Sequence, residues 1–211
     1  MKRLMRVNGI VGYTPKRHRV TTTSDRAHRI PDRVQGDFSP EAPDVTWCGD
    51  ISYIRTGEGF LYLGFEKDLA SKRILGLSMA SHMRTDLVAD ALREAVGTRG
   101  GNVAGVVFHS DRGTQYTSAQ FGALCNSHGV AQSVGRTGVC WDNAPAESFL
   151  ATLKKELVHR RTFRTRAEAR IVIRQWIEAW YNRRRLSSVI DDHSPIEWED
   201  HYRHTTETLA A

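Results

Sequence analysis

VVFHSDRGTQYTS, residues 106–118, passes within a few positions from apolar, β-branched residues to an acid, an arginine and a glycine. Residues 103–108 have the length and composition of a central strand covered on both faces. Turn chemistry follows at once in residues 110–113, so Asp111 stands at a strand tip. An Asp there commonly forms a turn or caps the next helix. In α/β sheets, however, ligands gather at the carboxyl ends of strands. The rest of the chain has to decide between the two.

Working outward, WCGDISYI, GFLYLGFEKD and KRILGLSM are three aromatic and β-branched runs separated by short turns, the pattern of three antiparallel strands. In RTDLVADALREAV the apolar positions Leu87, Val88, Ala91, Leu92, Ala95 and Val96 recur at helical spacing, with Thr85 as N-cap. After the strand at 103–108, a helix is expected over 118–127, closed by Gly129, and VAQSV gives a short fifth strand. GRTGVCWDN is a Gly-bearing loop, and APAESFLATLKKELV is a helix with Asn143 at its cap and Pro145 in its first turn. TRAE at 165–168 has the form of a capping box and opens a long helix through Ile173, Ile177 and Trp180 to Tyr181. This order predicts an α/β fold, a mixed five-stranded sheet flanked by helices: three hairpin-connected strands, then parallel additions through helical crossovers. Ribonuclease-H-like folds have this order.

The 211 residues suit one domain of ordinary size plus an appendage, with a core expected over 45–200, behind a basic N-terminal arm or linker at 1–44 and before a tail at 201–211. No apolar stretch approaches the roughly 20 residues of a membrane helix, and the N-terminus lacks a signal-peptide core, so a soluble cytoplasmic protein is expected. Cys48, Cys125 and Cys140 are odd in number and form no CxxC pair, which argues against a disulfide framework or a zinc site. Charge is unevenly distributed. Residues 1–36 hold nine Lys/Arg against two acids and residues 154–185 eleven against three, whereas 37–153 hold nine against thirteen. Two basic blocks flanking an acidic middle fit a polyanion partner whose phosphates are held by the flanks, the carboxylates being kept for another task.

Two acids join Asp111. Asp50 lies within the first strand, where β propensity disfavours it, and Glu147 lies in the first turn of the helix after the Gly-bearing loop, with thirty-five residues between it and Asp111. Hard divalent ions take oxygen ligands, with water and phosphate completing their shells. Two such ions about 3.5–4 Å apart serve in-line phosphoryl displacement. Lys154 follows Glu147 by two helical turns, only about 20° out of register, and so shares its face.

WCGDISYI, GFLYLGFEKDLASKRILGLSM, FHSDRGTQYTS, SVGRTGVCWDNAPAESFLATLKKE, WIEAWYNRRR and HSPIEWE resemble, over residues 1–200, the OrfB-type transposases of bacterial insertion-sequence family three, whose core is similar to retroviral integrases. The resemblance implies that Asp50, Asp111 and Glu147 form a DDE triad holding two magnesium or manganese ions. It also implies DNA as partner, both element ends and target, with Lys154 on the DNA end and Arg112 as a second contact, and activity as a homo-oligomer. Asp68 reads as a turn support, His109 and Ser110 as supports of the strand end, and Gln115 and Tyr116 as residues within reach of DNA. The chain departs from the family pattern in three places. Members usually carry a helix-turn-helix segment upstream of MKRLMRVNG, a function that another chain could supply. Ser187 and Asp191-Asp192 stand where a His and a Gly-Tyr pair are usual, and Trp141 replaces a Tyr. A nuclease that only hydrolyses, and a DNA-binding regulator of a full-length transposase, are the alternative readings.

Overall fold

Five strands in the order β3-β2-β1-β4-β5 form the central sheet of a computed structural model that describes residues 30–135 and 143–210. Strands β1 (Thr46–Thr56), β2 (Gly59–Asp68) and β3 (Ile74–Ala80) are antiparallel, and β4 (Val107–Ser110) and β5 (Ala131–Val134) extend the sheet in parallel beside β1. Helices α1 (Thr85–Thr98) and α2 (Ala119–Ser127) are the crossovers; α3 (Ala144–Glu156), α4 (Arg166–Gln175) and α5 (Pro195–Ala210) follow.

Alternation along the strands creates two cores. On one face Trp47, Leu75, Val88, Leu92, Phe108 and Phe121 pack under α1 and α2. On the other, Leu61, Leu63 and Phe65 meet Phe149 and Leu153 of α3 and Ile173 of α4. Gly76 permits the closest approach: a Cβ there would collide with the Ala91 carbonyl and the Ala95 amide of α1.

The structure corrects several local expectations. The strand expected at 103–108 begins at Val107, because Gly105 takes φ +94° and the Val106 amide closes a turn onto Val103 O at 3.2 Å. Val103 and Val106 are buried, but in a turn. The cap of α1 is Arg84, with Thr85 the first helical residue. The long helix after 165 widens at Trp176–Tyr181 into a π-helical turn, with the Asn182 amide reaching Ile177 O at 2.9 Å. That turn seats Tyr181 against Phe149 at 5.1 Å and leaves Trp180 exposed rather than in the core. It also aims the Asn182 amide at β3, where it bonds both the N–H and the C=O of Ile74. Thr165 caps the helix as expected, accepting from the Glu168 amide at 3.1 Å, while the Glu168 carboxylate reaches back to the Arg164 amide at 2.8 Å, one residue before the cap, rather than to the Thr165 amide of a capping box.

Helix α5 runs unbroken through residue 200, where the sequence reading placed the end of the core. Its Glu199, 1% exposed, lies between Arg73 at 2.6 Å and Arg99 at 2.6 Å. Burial opposes ionisation there, but the two arginines outweigh it and hold the carboxyl below its usual range. Residues 30–44 of the expected arm lie on the core. Pro31 O accepts from the Val134 amide at 3.3 Å, and the Arg33 amide donates to Ser133 Oγ at 2.9 Å. Residues 1–29 fall outside the described residues. No described helix is long and apolar enough to cross a membrane.

Candidate active site

The last paired residues of the β1–β4 ladder are Cys48 and His109. Asp50 lies two residues further along β1, and Asp111 is the first residue beyond the end of β4, where the ladder opens. Asp50, opposite Phe65 of β2, is half-buried, and its Oδ1 accepts from the Ile51 amide at 2.7 Å. Burial pushes its carboxyl up to about 6 against the pull of that hydrogen bond; the charges of Asp111 and Glu147 raise it further, and Lys154 lowers it. The charges of Asp111, Glu147 and Lys154 therefore all reach Asp50.

Asp111 is exposed, and its Oδ1 accepts from the Gly113 amide at 2.9 Å. Gly113 fits the turn because a Cβ there would lie 2.9 Å from that same oxygen. Arg112 donates through Nε to Gly135 O at 2.8 Å and so tethers the end of β5 to the turn. The following loop, with Cys140 and Trp141, lies outside the described residues.

Glu147 is exposed in the first turn of α3, whose inner face buries Ala146, Phe149, Leu150 and Leu153. Asn143 occupies the cap position without a side-chain cap bond. It is buried, and its Nδ2 instead lies 3.5 Å from Gly49 O, beside Asp50. Sequence reasoning took Asn143 as a cap and had no signal for this link between α3 and β1. Lys154 is half-buried, with Nζ 5.5 Å from the centroid of the Tyr53 ring, whereas Lys155 is exposed.

Asp68 supports a turn: it accepts from the Asp44 amide at 2.8 Å and from the amide and hydroxyl of Ser71 at 2.7 and 2.9 Å. His109 is buried, with Nδ1 2.9 Å from Ser133 Oγ. Tyr116, expected within reach of DNA, is 1% exposed beneath the Asp111 turn and cannot touch it. Gln115 donates to Met83 O at 2.8 Å. Glu66 was not singled out from the sequence. It is fully buried on the opposite face from Asp50, both its oxygens lack a hydrogen-bond partner, and burial holds its carboxyl well above the usual range.

Among the described residues, no three His, Cys, Asp or Glu side chains stand close enough together to hold a metal ion as they are. The donor chemistry nevertheless suits a hard divalent cation, since Asp50, Asp111 and Glu147 offer only carboxylate oxygen. The repulsion that raises Asp50 is of the sign that a cation would relieve.

The sheet order and its crossing helices define a ribonuclease-H-like core of the retroviral-integrase kind. The catalytic core domain of BIV integrase superposes with a TM-score of 0.55 at 16% identity, over 78% of this chain and 99% of that one. The HTLV-2 integrase catalytic core domain in complex with magnesium gives 0.54 at 13% identity, over 74% and 97%. Residues 40–140 and 128–195 match the integrase core domain family. Over 200 residues the chain is 37% identical to the transposase for insertion sequence element IS629 of Shigella sonnei, covering 95% of this chain and 67% of that protein. Over 180 residues it is 39% identical to transposase InsF for insertion sequence IS3A of Escherichia coli, covering 84% and 62%. The chain belongs to the integrase-core transposases of IS3-type insertion sequences and contains a DNA transposase catalytic domain.

Proposed function

We propose that Asp50, Asp111 and Glu147 are the catalytic carboxylates, holding two magnesium or manganese ions while a DNA strand is cleaved at an element end and its 3′-hydroxyl is joined to a target phosphodiester. The observation that carries this reading is the Asp50 carboxyl, set within a strand and raised by burial and by the charges of Asp111 and Glu147. When bound, the ions supply activation of the attacking oxygen and stabilisation of the leaving one. The chain's own groups position the reactants. Asp50 is fixed by β1 and its bond to Ile51, Asp111 by its turn onto Gly113, and Glu147 by α3, which Asn143 links to β1. Lys154, on the Glu147 flank of α3, steers a phosphate of the DNA end, and Arg112 adds a contact through the donors not used on Gly135. Catalysis of this kind is positioning and electrostatics, with no covalent enzyme intermediate.

DNA is the partner in this reading, and the active form is a homo-oligomer, with element-end recognition supplied by an upstream helix-turn-helix segment or chain. The protein then works in the cytoplasm, where the element's DNA lies. A strand-transfer assay with the parent element's ends and magnesium or manganese tests the proposal. Wild type joins ends to target, and Asp50→Asn, Asp111→Asn and Glu147→Gln each lose cleavage and joining while keeping DNA affinity. Joining retained by any of the three removes that residue from the triad. Cleavage without joining by wild type would favour a hydrolytic nuclease, and DNA binding without either step the regulator.

A further inference from the structure

A cavity of about 390 Å³ lies between β2, the start of α3 and the segment after the π-helical turn. Three cations border it: Lys67 of β2, Lys72 of the β2–β3 turn, and Arg185. Lys67 is only 5% exposed, and its ammonium donates to Pro145 O at 3.1 Å. Of the three protons an ammonium carries, the others have no partner among the described residues. No carboxylate there forms an ion pair with Lys67 or Lys72. A buried ammonium is costly unless paired, and burial, followed by the charges of Lys72 and Arg185, pulls Lys67 down to about 8. The Asp68 charge offsets this only in part, and no carboxylate pairs with the ammonium. Glu156 is engaged by Arg185 at 3.0 Å, the Asp68 oxygens are taken by Asp44 and Ser71, and the Cys48 thiol, pushed up to about 12, is neutral at physiological pH.

We infer that this cavity is a binding site for a compact phosphate-class anion, held by Lys67, Lys72 and Arg185 with the Ser148 and Ser187 hydroxyls at its wall. Its size is that of a small-ligand pocket, typically about 300–1,000 Å³. Lys67 is too recessed for the backbone of a double helix to reach, so the occupant is inorganic phosphate or a small phosphomonoester. Residues 144, 145 and 148 line the pocket, so the anion sits against the helical turn that carries Glu147. The inference does not depend on the catalytic role of that residue.

Inorganic phosphate, titrated into the full chain at constant ionic strength with chloride as reference, tests the site by thermal unfolding. A saturable rise in Tm is expected. Arg185→Gln and Lys67→Met should each raise the half-saturating concentration about tenfold or more, the effect of losing one hydrogen bond to a charged group. Lys155→Gln, which removes an exposed cation on the same helix, should leave it unchanged. A rise that grows without saturating is the general exclusion effect of such salts and overturns the inference. So does saturable binding that survives in Arg185→Gln, which decides the matter should Lys67→Met fail to fold for want of a donor to Pro145 O.

Discussion

Replacing Asp50 by Asn should stabilise the metal-free protein, although it removes a residue assigned to catalysis. The fold holds this carboxyl at about 6 instead of 3.8, first through burial and then through Asp111 and Glu147. A carboxyl whose pKa is raised on folding is protonated in both states at low pH. As pH rises from about 4 to 6, the unfolded chain ionises freely while the folded one resists, so stability falls through that window and the whole penalty is present above it. Two units at about 1.36 kcal/mol each set an upper value of roughly 3 kcal/mol, and screening by solvent at the accessible part of the side chain leaves about 1–2 kcal/mol. For a domain of this size, about 2–4 °C per kcal/mol converts that to a Tm higher by about 2–8 °C in Asp50→Asn at neutral pH. Asn keeps an Oδ1 to accept from Ile51, so the local bond survives. Thermal unfolding with a chelator should show the gap at neutral pH and little gap near pH 4. Magnesium should raise the Tm of wild type but not that of the variant. A variant no more stable than wild type at neutral pH in chelator, or a gap independent of pH, would refute the account of a charge-strained centre.

Asp111→Asn should abolish cleavage and joining in the strand-transfer assay with circular dichroism and DNA affinity unchanged, because Asn still accepts from the Gly113 amide but carries no charge; retained joining would leave Asp111 as a turn former only. Glu199→Gln should destabilise by about 3–5 kcal/mol in urea unfolding, since it leaves Arg73 and Arg99 facing each other in a buried setting, and a loss below about 1 kcal/mol would show α5 to be dispensable. DNA affinity should fall steeply with salt, each phosphate contact adding roughly 0.9 to the logarithmic slope. Deleting residues 1–29 should flatten the slope without unfolding the core, the cut sparing Arg33 and Val34, which pack on it; an unchanged slope makes that block ordinary surface.

The sheet was legible because its strands are unusual in composition. Aromatic and β-branched runs broken by glycines leave little choice of element, and the mixed order follows from which runs have room for a helix between them. The acids stand out in the sequence for a complementary reason: Asp50 violates strand preference, Asp111 follows an apolar strand directly, and Glu147 stands in the first turn of a helix after a Gly-bearing loop. What sequence reasoning missed depends on which partner a side chain finds across the fold. Asn143 has the right identity for a cap, and only the nearness of α3 to Gly49 turns its amide toward β1. Glu66 and Lys67 sit in a run whose alternation reads as strand, with no sign that both faces are covered so completely. Tyr116 looks like a loop residue until the turn at Gly113 folds it under Asp111. The π-helical turn leaves Ile177 and Tyr181 in the core, as an α-helix would, so the periodicity gives no warning of it.

Asp111 is open to both readings of the strand tip, and that is what makes its charge informative. As a turn former it uses one oxygen, which accepts from Gly113. An Asn would accept the same bond, forming turns and caps about as well as Asp. The charge does nothing for the turn and raises the Asp50 carboxyl across the strand end, so on stability alone it is a cost. Lys67 is the mirror case, a buried cation whose single bond to Pro145 O a neutral donor could make. Each marks a place where the isolated chain is less stable than a neutral substitution would make it, and where an ion of opposite sign should restore what the charge removes. Divalent cation should therefore stabilise through Asp50 and Asp111 but not through Lys67, and phosphate through Lys67 but not through the acids. The two effects, measured on the same variants, separate the proposed catalytic centre from the proposed anion pocket without reference to activity.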